Sequence, residues 1–272
     1  MRKILNQIFN FFLNILFSNK KDSIQTVYIE DRSQLIWSAE DVGRRIKLNM
    51  FEKEETLYFK NNIKIGDICL DVGSNVGYFT NLFASLVGDS GRVIALDAVI
   101  RNVELVKLNT ILNKTQNIVD VHCAAIGDVD DKDVYFNTTN DSAYAFIEGA
   151  NDRNITYVGI EESKETISMK TRTIDSILME YNINHVDIMK MDIEGYEYFA
   201  LKGMVKYLSS EHMKPKIIML ELADNHLKQH GKQVIDVIQL MENHKYSSRV
   251  LINNELIPYN SKYPNTNVFF IL

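Results

Sequence analysis

The chain has 272 residues, of which 46% are hydrophobic and 24% are charged, and this composition excludes a disordered protein and a disulfide-stapled miniprotein. Its net charge of −6 argues against duplex nucleic acid as the main partner, because proteins dedicated to that ligand usually carry a basic surplus. The two cysteines, Cys69 and Cys123, have neither zinc-ligand spacing nor a disulfide framework, so both are expected to be free thiols in the core of a cytoplasmic protein.

Residues 1–21 form a segment of their own. An apolar run from Ile4 to Phe17 is interrupted by polar residues at spacings of three and four, which predicts an amphipathic helix with basic ends. The run is shorter than the roughly 20 residues that a membrane-spanning helix needs. Two interpretations are open: the helix lies on an anionic membrane surface, or it docks on its own domain or on a second subunit.

Residues 22–64 are assigned to an N-terminal cap segment and residues 65–272 to the main domain, in which strand and helix patterns alternate. Strands are predicted at 68–72, 92–97, 118–126, 186–192 and 216–222, helices at 76–87, 103–112, 195–208 and 234–241, and a closing hairpin from 246–253 and 267–272. This alternation predicts a doubly wound α/β fold with a mostly parallel sheet and ligands at the carboxyl ends of its strands. An irregular polar stretch at 137–165 is interpreted either as a substrate loop or lid, or as a disordered excursion.

The first predicted strand runs into the sequence Asp71-Val72-Gly73-Ser74-Asn75-Val76-Gly77. Its glycines allow a tight turn, Ser74 or Asn75 is expected to cap the next helix, and the helix N-terminus offers free N–H groups and a positive dipole end. The Gly-x-x-x-Gly spacing differs from the Gly-x-Gly-x-x-Gly of pyrophosphate binders, and the Asp71 carboxylate would attract an ammonium. S-adenosylmethionine, which carries an ammonium and a carboxylate, therefore suits this turn better than a dinucleotide.

Asp97 ends the second predicted strand, where an acid can accept hydrogen bonds from both hydroxyls of a ribose. Nicotinamide and S-adenosylmethionine enzymes share this device. Asp97 therefore indicates an adenosine ligand without choosing between the two classes.

These residues, with others in the same order along the chain, resemble the FkbM family of S-adenosylmethionine-dependent methyltransferases. The resemblance extends from about Gly66 to Glu221, and its matching segments are 71–78, 91–97, 124–128, 173–176, 190–197 and 219–221. The most family-specific segment is Lys190-Met191-Asp192-Ile193-Glu194-Gly195-Tyr196-Glu197. The second strand of the family usually ends in Glu-Pro, whereas this chain has Asp97-Ala98, so the acid is kept and the proline is lost.

The resemblance implies a Rossmann-like class I methyltransferase fold over residues 65–272. That fold has a seven-stranded, mostly parallel sheet with helices on both faces and an antiparallel C-terminal hairpin. It also implies methylation of hydroxyl groups, often on sugars or sugar-like rings, and an adenine site lined by residues 122–125. The predicted cofactor site comprises Asp71, Gly73, Ser74, Asn75, Gly77, Tyr78, Asp97, Ala98, Asn102, Cys123, Ala124 and Asp192.

The candidates for the chemical step lie at the ends of the fourth and fifth strands. Lys190, Asp192 and Glu194 are two residues apart, so they point the same way if the strand persists. Asp192 is best placed for a catalytic or substrate-binding role. Glu194 and Glu221 can share a substrate hydroxyl or, as the less favoured alternative, a divalent metal. Two structural alternatives stay open, in which Glu194 caps the following helix and Lys190 is a buried ion-pair partner of Asp192. The favoured prediction has no metal. His226 and His230 follow the fifth strand, at a position suited to a histidine base, and a surface position is expected for each.

The sequence therefore predicts an S-adenosylmethionine-dependent O-methyltransferase that acts on a hydroxyl of a carbohydrate or glycoconjugate. We expect it in the cytoplasm or peripherally at the inner face of the membrane. One alternative is an NAD-dependent Rossmann oxidoreductase, against which the glycine spacing and Asp71 count. A second is an RNA 2′-O-methyltransferase, whose basic groove is not evident in the composition. A third is a membrane-docked binding protein with a degenerate site, against which the acids Asp71, Asp97 and Asp192 argue.

Overall fold

The computed structural model describes residues 23–29, 32–38, 51–138, 145–147, 165–263 and 265–272. An antiparallel hairpin of β1 (Ser23–Ile29) and β2 (Arg32–Ser38) precedes helix α1 (Lys53–Asn62). The predicted helix within 1–21 lies outside the described residues. The division of the chain into 1–21, 22–64 and 65–272 stays a prediction.

The central sheet is built from β3 (Ile68–Val72), β4 (Arg92–Asp97), β5 (Val119–Cys123), β10 (Ile188–Met191), β11 (Ile217–Ala223), β12 (Ser247–Ile252), β13 (Glu255–Pro258) and β14 (Asn265–Ile271). Within the described residues it has eight strands, in the order β13-β12-β14-β11-β10-β3-β4-β5. The strands from β11 to β5 are parallel, and β14, β12 and β13 are antiparallel. The predicted pairing of the two closing segments is present as β12 with β14, and β13 adds one strand to the expected seven.

Helices cover the two faces of this sheet. They are α1, α2 (Tyr78–Val87), α3 (Ile100–Asn113), α4 (Ile174–Glu180), α5 (Glu197–Lys202), α6 (Val205–Ser209), α7 (Asp224–Gln229) and α8 (Val234–Asn243). Cys69 of β3 is buried in the core shared with α1–α3, and its neighbour Leu70 is buried in the core shared with α4–α8. Because successive side chains of a strand point to opposite faces, one apolar strand contributes to both cores. The predicted α/β fold is therefore confirmed.

A smaller sheet has the strand order β6-β9-β7-β8, from β6 (Ala125–Ile126), β7 (Asp133–Thr138), β8 (Ala145–Ile147) and β9 (Glu165–Arg172). The single strand predicted over 118–126 is wrong, because Ala125 and Ile126 leave the central sheet to pair with β9. Part of the stretch 137–165 that was expected to be irregular also forms strands. Residues 139–144 and 148–164 lie outside the described residues, so the substrate loop or lid stays a prediction.

Some helix boundaries differ from the prediction. Helix α2 begins after Gly77, whose left-handed backbone (φ 88°) makes the N-cap, and no described side chain caps it. The expected cap by Ser74 or Asn75 is therefore wrong, whereas the helix ends at Gly88 as predicted. The helix predicted over 195–208 is divided into α5 and α6. None of the helices formed by the described residues has the length and hydropathy to cross a membrane.

Candidate active site

The turn between β3 and α2 lies at the carboxyl edge of the central sheet. The N–H groups of Gly73 and Ser74 donate to the Leu96 carbonyl at 2.8 and 3.0 Å, which joins the turn to the end of β4. Gly73 has a φ of 74°, and a Cβ at this position would lie 1.8 Å from the carbonyl oxygen of Asp192. Only glycine lets the two segments approach so closely. The predicted cofactor turn and the predicted catalytic segment are therefore direct neighbours.

Asp71 is fully buried at the end of β3. Its Oδ2 accepts a hydrogen bond from the Thr80 hydroxyl at 2.5 Å, and its Oδ1 has no partner among the described residues. Burial raises the pKa of Asp71, and the positive charge of Lys190 opposes that shift. The unpaired oxygen therefore lacks the kind of donor that an ammonium group supplies.

The Asp97 carboxylate is also buried, and the protein already uses most of its acceptor capacity. Oδ2 accepts from the Asn75 N–H at 2.7 Å, and Oδ1 accepts from the Val99 N–H at 2.8 Å and from the Asn102 amide at 3.2 Å. Burial raises the pKa of Asp97 to about 6, and these hydrogen bonds oppose the shift. A carboxylate has about four lone-pair positions, so one is left for a ribose hydroxyl.

The end of β5 completes this side of the edge. Cys123 is the register partner of Asp97, and its Sγ lies 3.5 Å from the Ala98 carbonyl. Cys69 is buried as predicted, but Cys123 is exposed, so its expected place in the core is wrong: it ends the outermost strand of the sheet. The Ala124 N–H donates to the Asp97 carbonyl at 2.9 Å.

Two of the residues predicted near the cofactor contact other parts of the chain. The ring of His122 stacks on Tyr181, with ring centroids 4.1 Å apart. The Tyr78 hydroxyl lies 3.0 Å from the Thr56 hydroxyl, and the Tyr78 ring packs against Phe51. Tyr78 therefore joins α2 to the start of α1.

Lys190 and Asp192 form the ion pair that was predicted as one alternative. The Lys190 ammonium lies 3.3 Å from Asp192 Oδ2 and 3.4 Å from the Gly73 carbonyl oxygen. Burial lowers the pKa of Lys190, but Asp192 and the other nearby carboxylates raise it more, so the net shift is upward. Lys190 is therefore a fixed positive charge between the glycine turn and Asp192.

Asp192 and Glu221 interact across the ends of β10 and β11. The negative charge of Asp192 raises the pKa of Glu221 well above its usual range, and burial and the hydrogen bond between the two carboxyl groups add to this shift. Glu221 therefore keeps its proton to a higher pH than an ordinary glutamate, and this proton donates a hydrogen bond to Asp192.

Glu194 does not join Lys190 and Asp192. Strand β10 ends at Met191, and Glu194 takes a left-handed backbone conformation (φ 54°) that turns its side chain toward α7. There, Glu194 Oε2 lies 2.8 Å from Nδ1 of His226. The expected common direction of the three side chains is therefore wrong, because the strand does not persist.

Glu194 does not cap helix α5 either. The Oε1 atom of Glu197 instead accepts hydrogen bonds from the Ile193 and Gly195 N–H groups, each at 3.1 Å. His226 and His230 are half-buried rather than at the surface, because α7 packs against this loop.

Glu52 lies beside the candidate site, and no sequence motif indicated it. It occupies the N-cap position of α1 in a left-handed conformation (φ 38°), and its side chain makes no capping hydrogen bond. Burial raises the pKa of Glu52 to about 7, Lys190 opposes the shift, and Asp192 adds to it. Its Oε2 is buried without a partner in the described part of the chain. Glu52 therefore faces the same cluster as Asp192 and Glu221.

The model of the methyltransferase FkbM domain matches residues 71–248. The chain belongs to the FkbM methyltransferase family. Its activity is therefore methyl transfer with S-adenosylmethionine as the cofactor, as predicted, and the alternative of an NAD-dependent oxidoreductase is excluded. No curated protein matches the chain significantly in sequence.

The FkbM chain is similar to several solved structures at low sequence identity. A methyltransferase FkbM from Methylobacillus flagellatus is 14% identical, with a TM-score of 0.45, over 86% of this chain and 55% of that chain. An S-adenosylmethionine-dependent O-methyltransferase from Thermotoga maritima is 12% identical, with a TM-score of 0.45, over 91% of this chain and 77% of that chain. A precorrin-6y C5,15-methyltransferase from Geobacter metallireducens is 10% identical, with a TM-score of 0.46, over 86% and 92%.

The residues of this FkbM chain at the ends of β3 and β4 fit S-adenosylmethionine by their chemistry. Asp71 Oδ1 and the Ser74 hydroxyl are buried without hydrogen-bond partners in the described ranges, and they flank the glycine turn. Asp97 retains one acceptor position for a ribose hydroxyl. Among the described residues, no group of three or more His, Cys, Asp or Glu side chains has the geometry of a metal site.

Proposed function

We propose that this FkbM methyltransferase methylates a hydroxyl group of a carbohydrate or glycoconjugate. The observation that supports the proposal is the carboxyl pair Asp192 and Glu221 beside the glycine turn. A carboxylate accepts the hydrogen bond of a hydroxyl group, and a protonated carboxyl group donates one. Asp192 and the protonated Glu221 can therefore hold two neighbouring hydroxyl groups, as a sugar ring presents them.

The proposed site has a cofactor side and an acceptor side. On the cofactor side, Asp71 accepts hydrogen bonds from the ammonium and Asp97 from the ribose, while residues 122–125 border the adenine. On the acceptor side, Asp192 orients the hydroxyl group, Lys190 fixes Asp192, and Glu221 completes the pocket, while Glu194 lies beside it, bound to His226. The bound cofactor supplies an already activated methyl group, so alignment of the acceptor oxygen by these residues is the main task. Alignment of this kind contributes roughly 7–11 kcal/mol to lowering a barrier.

The experiment uses cells that lack the gene as the source of unmethylated acceptor. Their carbohydrate, lipid and RNA fractions are incubated separately with the full chain and S-adenosylmethionine that carries a tritiated methyl group. Label in sugar O-methyl groups, identified by mass spectrometry after hydrolysis, supports the proposal. Label confined to RNA would instead support the alternative of a ribose 2′-O-methyltransferase, and label in neither fraction would contradict both.

We also propose that residues 1–21 attach the enzyme to the inner face of the membrane. The support is the sequence pattern alone, an apolar face with basic ends. The measurement is co-sedimentation with anionic liposomes of the full chain and of a chain that starts at Ser23. Equal sedimentation of the two would contradict the proposal, and the N-terminal segment would then dock on protein.

A further inference from the structure

A carboxylate–histidine pair lies beside the acceptor side of the site. Nδ1 of His226 and Oε2 of Glu194 are 2.8 Å apart, and the two side chains are 24% and 20% exposed. Glu194 lies in the loop after β10, and His226 lies on α7, which directly follows β11, so both are at the carboxyl edge of the sheet. Ligands of open α/β sheets bind at that edge. The pair is therefore half-buried yet reachable from the position proposed for the acceptor.

The backbone around this pair is specialised. Glu194 has a φ of 54°, which is unfavourable for a residue other than glycine, asparagine or aspartate. The next residue, Gly195, has a φ of 101°, and a Cβ there would lie 2.6 Å from the carbonyl carbon of His226. The loop is thus pressed against α7 in a strained conformation, and this conformation is what directs the Glu194 carboxylate at the imidazole.

The hydrogen bond assigns the tautomer of the neutral imidazole. Because Nδ1 faces a carboxylate, which only accepts hydrogen bonds, Nδ1 carries the proton and Nε2 carries the lone pair. The charged groups that face His226 from the elements packed around it are Glu194, Asp192, Glu197 and His230. The first three are acids, so the surroundings favour a positive charge on the imidazole once it takes up a proton.

We propose that His226 is the general base of the methyl transfer and that Glu194 is the residue that positions it. The inference rests on the proposed function, transfer to a hydroxyl group. The acceptor oxygen forms a bond to the methyl carbon, while the carbon–sulfur bond breaks and its electron pair stays on sulfur. The hydroxyl proton passes to Nε2 of His226, Glu194 stabilises the resulting imidazolium, and the proton then leaves to solvent. The arrangement follows the logic of a nucleophile, a base and a third group that orients the base.

Asp192 is less suited to this step. Its carboxylate is held by the Lys190 ammonium at 3.3 Å and by a hydrogen bond with the Glu221 carboxyl group. Both contacts occupy acceptor positions of this carboxylate, so less of it is available to receive the hydroxyl proton. Asp192 therefore orients the acceptor, and the proton goes to the neighbouring imidazole.

The first measurement needs no acceptor. NMR titration of the histidine resonances, assigned by loss of one signal in His226→Asn, gives the pKa of each imidazole. The hydrogen bond to Glu194 raises the pKa of His226 above 6.5, so its midpoint is expected above that value. Glu194→Gln keeps a hydrogen-bond acceptor but removes the charge, and the midpoint is expected to fall. An unchanged midpoint in Glu194→Gln would overturn the proposed pairing.

The second measurement is the pH–rate profile of tritium transfer to the carbohydrate fraction. His226→Asn is expected to lose about 10²–10⁴-fold in turnover while keeping its affinity for S-adenosylhomocysteine and its thermal unfolding temperature. Glu194→Gln is expected to lower the plateau and to move the rising limb of the profile to lower pH. A purely structural role would not move that limb.

A matched control is available at the opposite edge of the sheet. A second histidine–carboxylate pair lies just before β10 begins. In this pair, Nε2 of His185 is 3.3 Å from Asp187 Oδ2. His185→Asn is expected to keep full turnover. If the unchanged chain labels sugars and the labelling rate of His226→Asn is within about twofold of that rate, the role of His226 is refuted while the proposed function stands. If the unchanged chain labels no sugar, the proposed function fails and the inference fails with it.

Discussion

Ionisation of the buried Glu52 beside the candidate site is expected to lower the stability of the folded protein, and this effect can be measured. Its folded-state pKa of about 7 stands against an ordinary value of 4.5, so ionising it in the folded protein is unfavourable. The two pKa values differ by about 2.5, and at 1.36 kcal/mol for each pKa unit this difference corresponds to a free energy of about 3 kcal/mol. The substitution Glu52→Gln removes the ionisation and keeps the shape of the side chain.

The sign of the effect follows from proton linkage. The unfolded chain releases this proton near pH 4.5 and the folded chain near pH 7, so the folded state binds more protons in between. Stability from this group therefore falls as the pH rises through that window, and the loss is complete above pH 7. Glu52→Gln is expected to gain about 3 kcal/mol in the free energy of unfolding at pH 8, and only about 1 kcal/mol at pH 5.5.

Urea unfolding at both pH values measures these free energies by linear extrapolation. Glu54→Gln is the matched control, because it neutralises a carboxylate in the same turn of α1, where negative charge stabilises the helix. The control is not expected to gain stability at pH 8. A loss of stability in Glu52→Gln at pH 8, or a gain equal at both pH values, would refute the reasoning.

The remaining predictions concern binding, turnover and packing. Asp97→Ala should weaken S-adenosylhomocysteine binding in calorimetry, whereas Asp192→Ala should bind it normally and lose turnover; normal turnover would remove Asp192 from the site. Gly73→Ala should lose about 2 kcal/mol or more of stability in urea, because its Cβ meets the Asp192 carbonyl 1.8 Å away in a left-handed turn; a native unfolding curve would contradict that geometry. Glu221 should lose its proton at alkaline pH, since its pKa is raised, and transfer should then fall. Glu221→Gln, which keeps a donor toward Asp192, should abolish that alkaline fall in the pH–rate profile; an unchanged fall would show that another group titrates.

The features that the sequence predicted well depend on local pattern. Strands β3 and β4 are short apolar runs with polar boundaries, and the structure has them at the predicted residues. The glycines predicted the turn after β3, and the positions of Asp71 and Asp97 at the ends of predicted strands indicated that both acids belong to the candidate site. Parallel strands bring their carboxyl ends to one edge, so these positions also placed the residues relative to each other.

The features that the sequence did not predict depend on backbone conformation or on distant contacts. Nothing in the residue type of Glu194 indicates a left-handed backbone. That backbone conformation nevertheless turns the Glu194 side chain away from Lys190 and toward His226. Glu52 precedes the region that the family model matches, and only the folded chain brings it to Asp192. The exposure of Cys123 follows from its place at the end of the outermost strand, which depends on the strand order rather than on its apolar neighbours.

The acids at the carboxyl edge of the central sheet are unfavourable for folding and favourable for binding a positively charged cofactor. Glu52, Asp71, Asp192 and Glu221 surround one buried cation, Lys190, and burial or mutual repulsion raises the pKa of three of these four acids. Such a cluster is unfavourable for folding, because each raised pKa reports an ionisation that the folded state resists. A ligand with a sulfonium and an ammonium supplies the missing positive charge. In the proposed site the acids surround that ligand, so the cluster that is unfavourable for folding becomes a source of binding free energy.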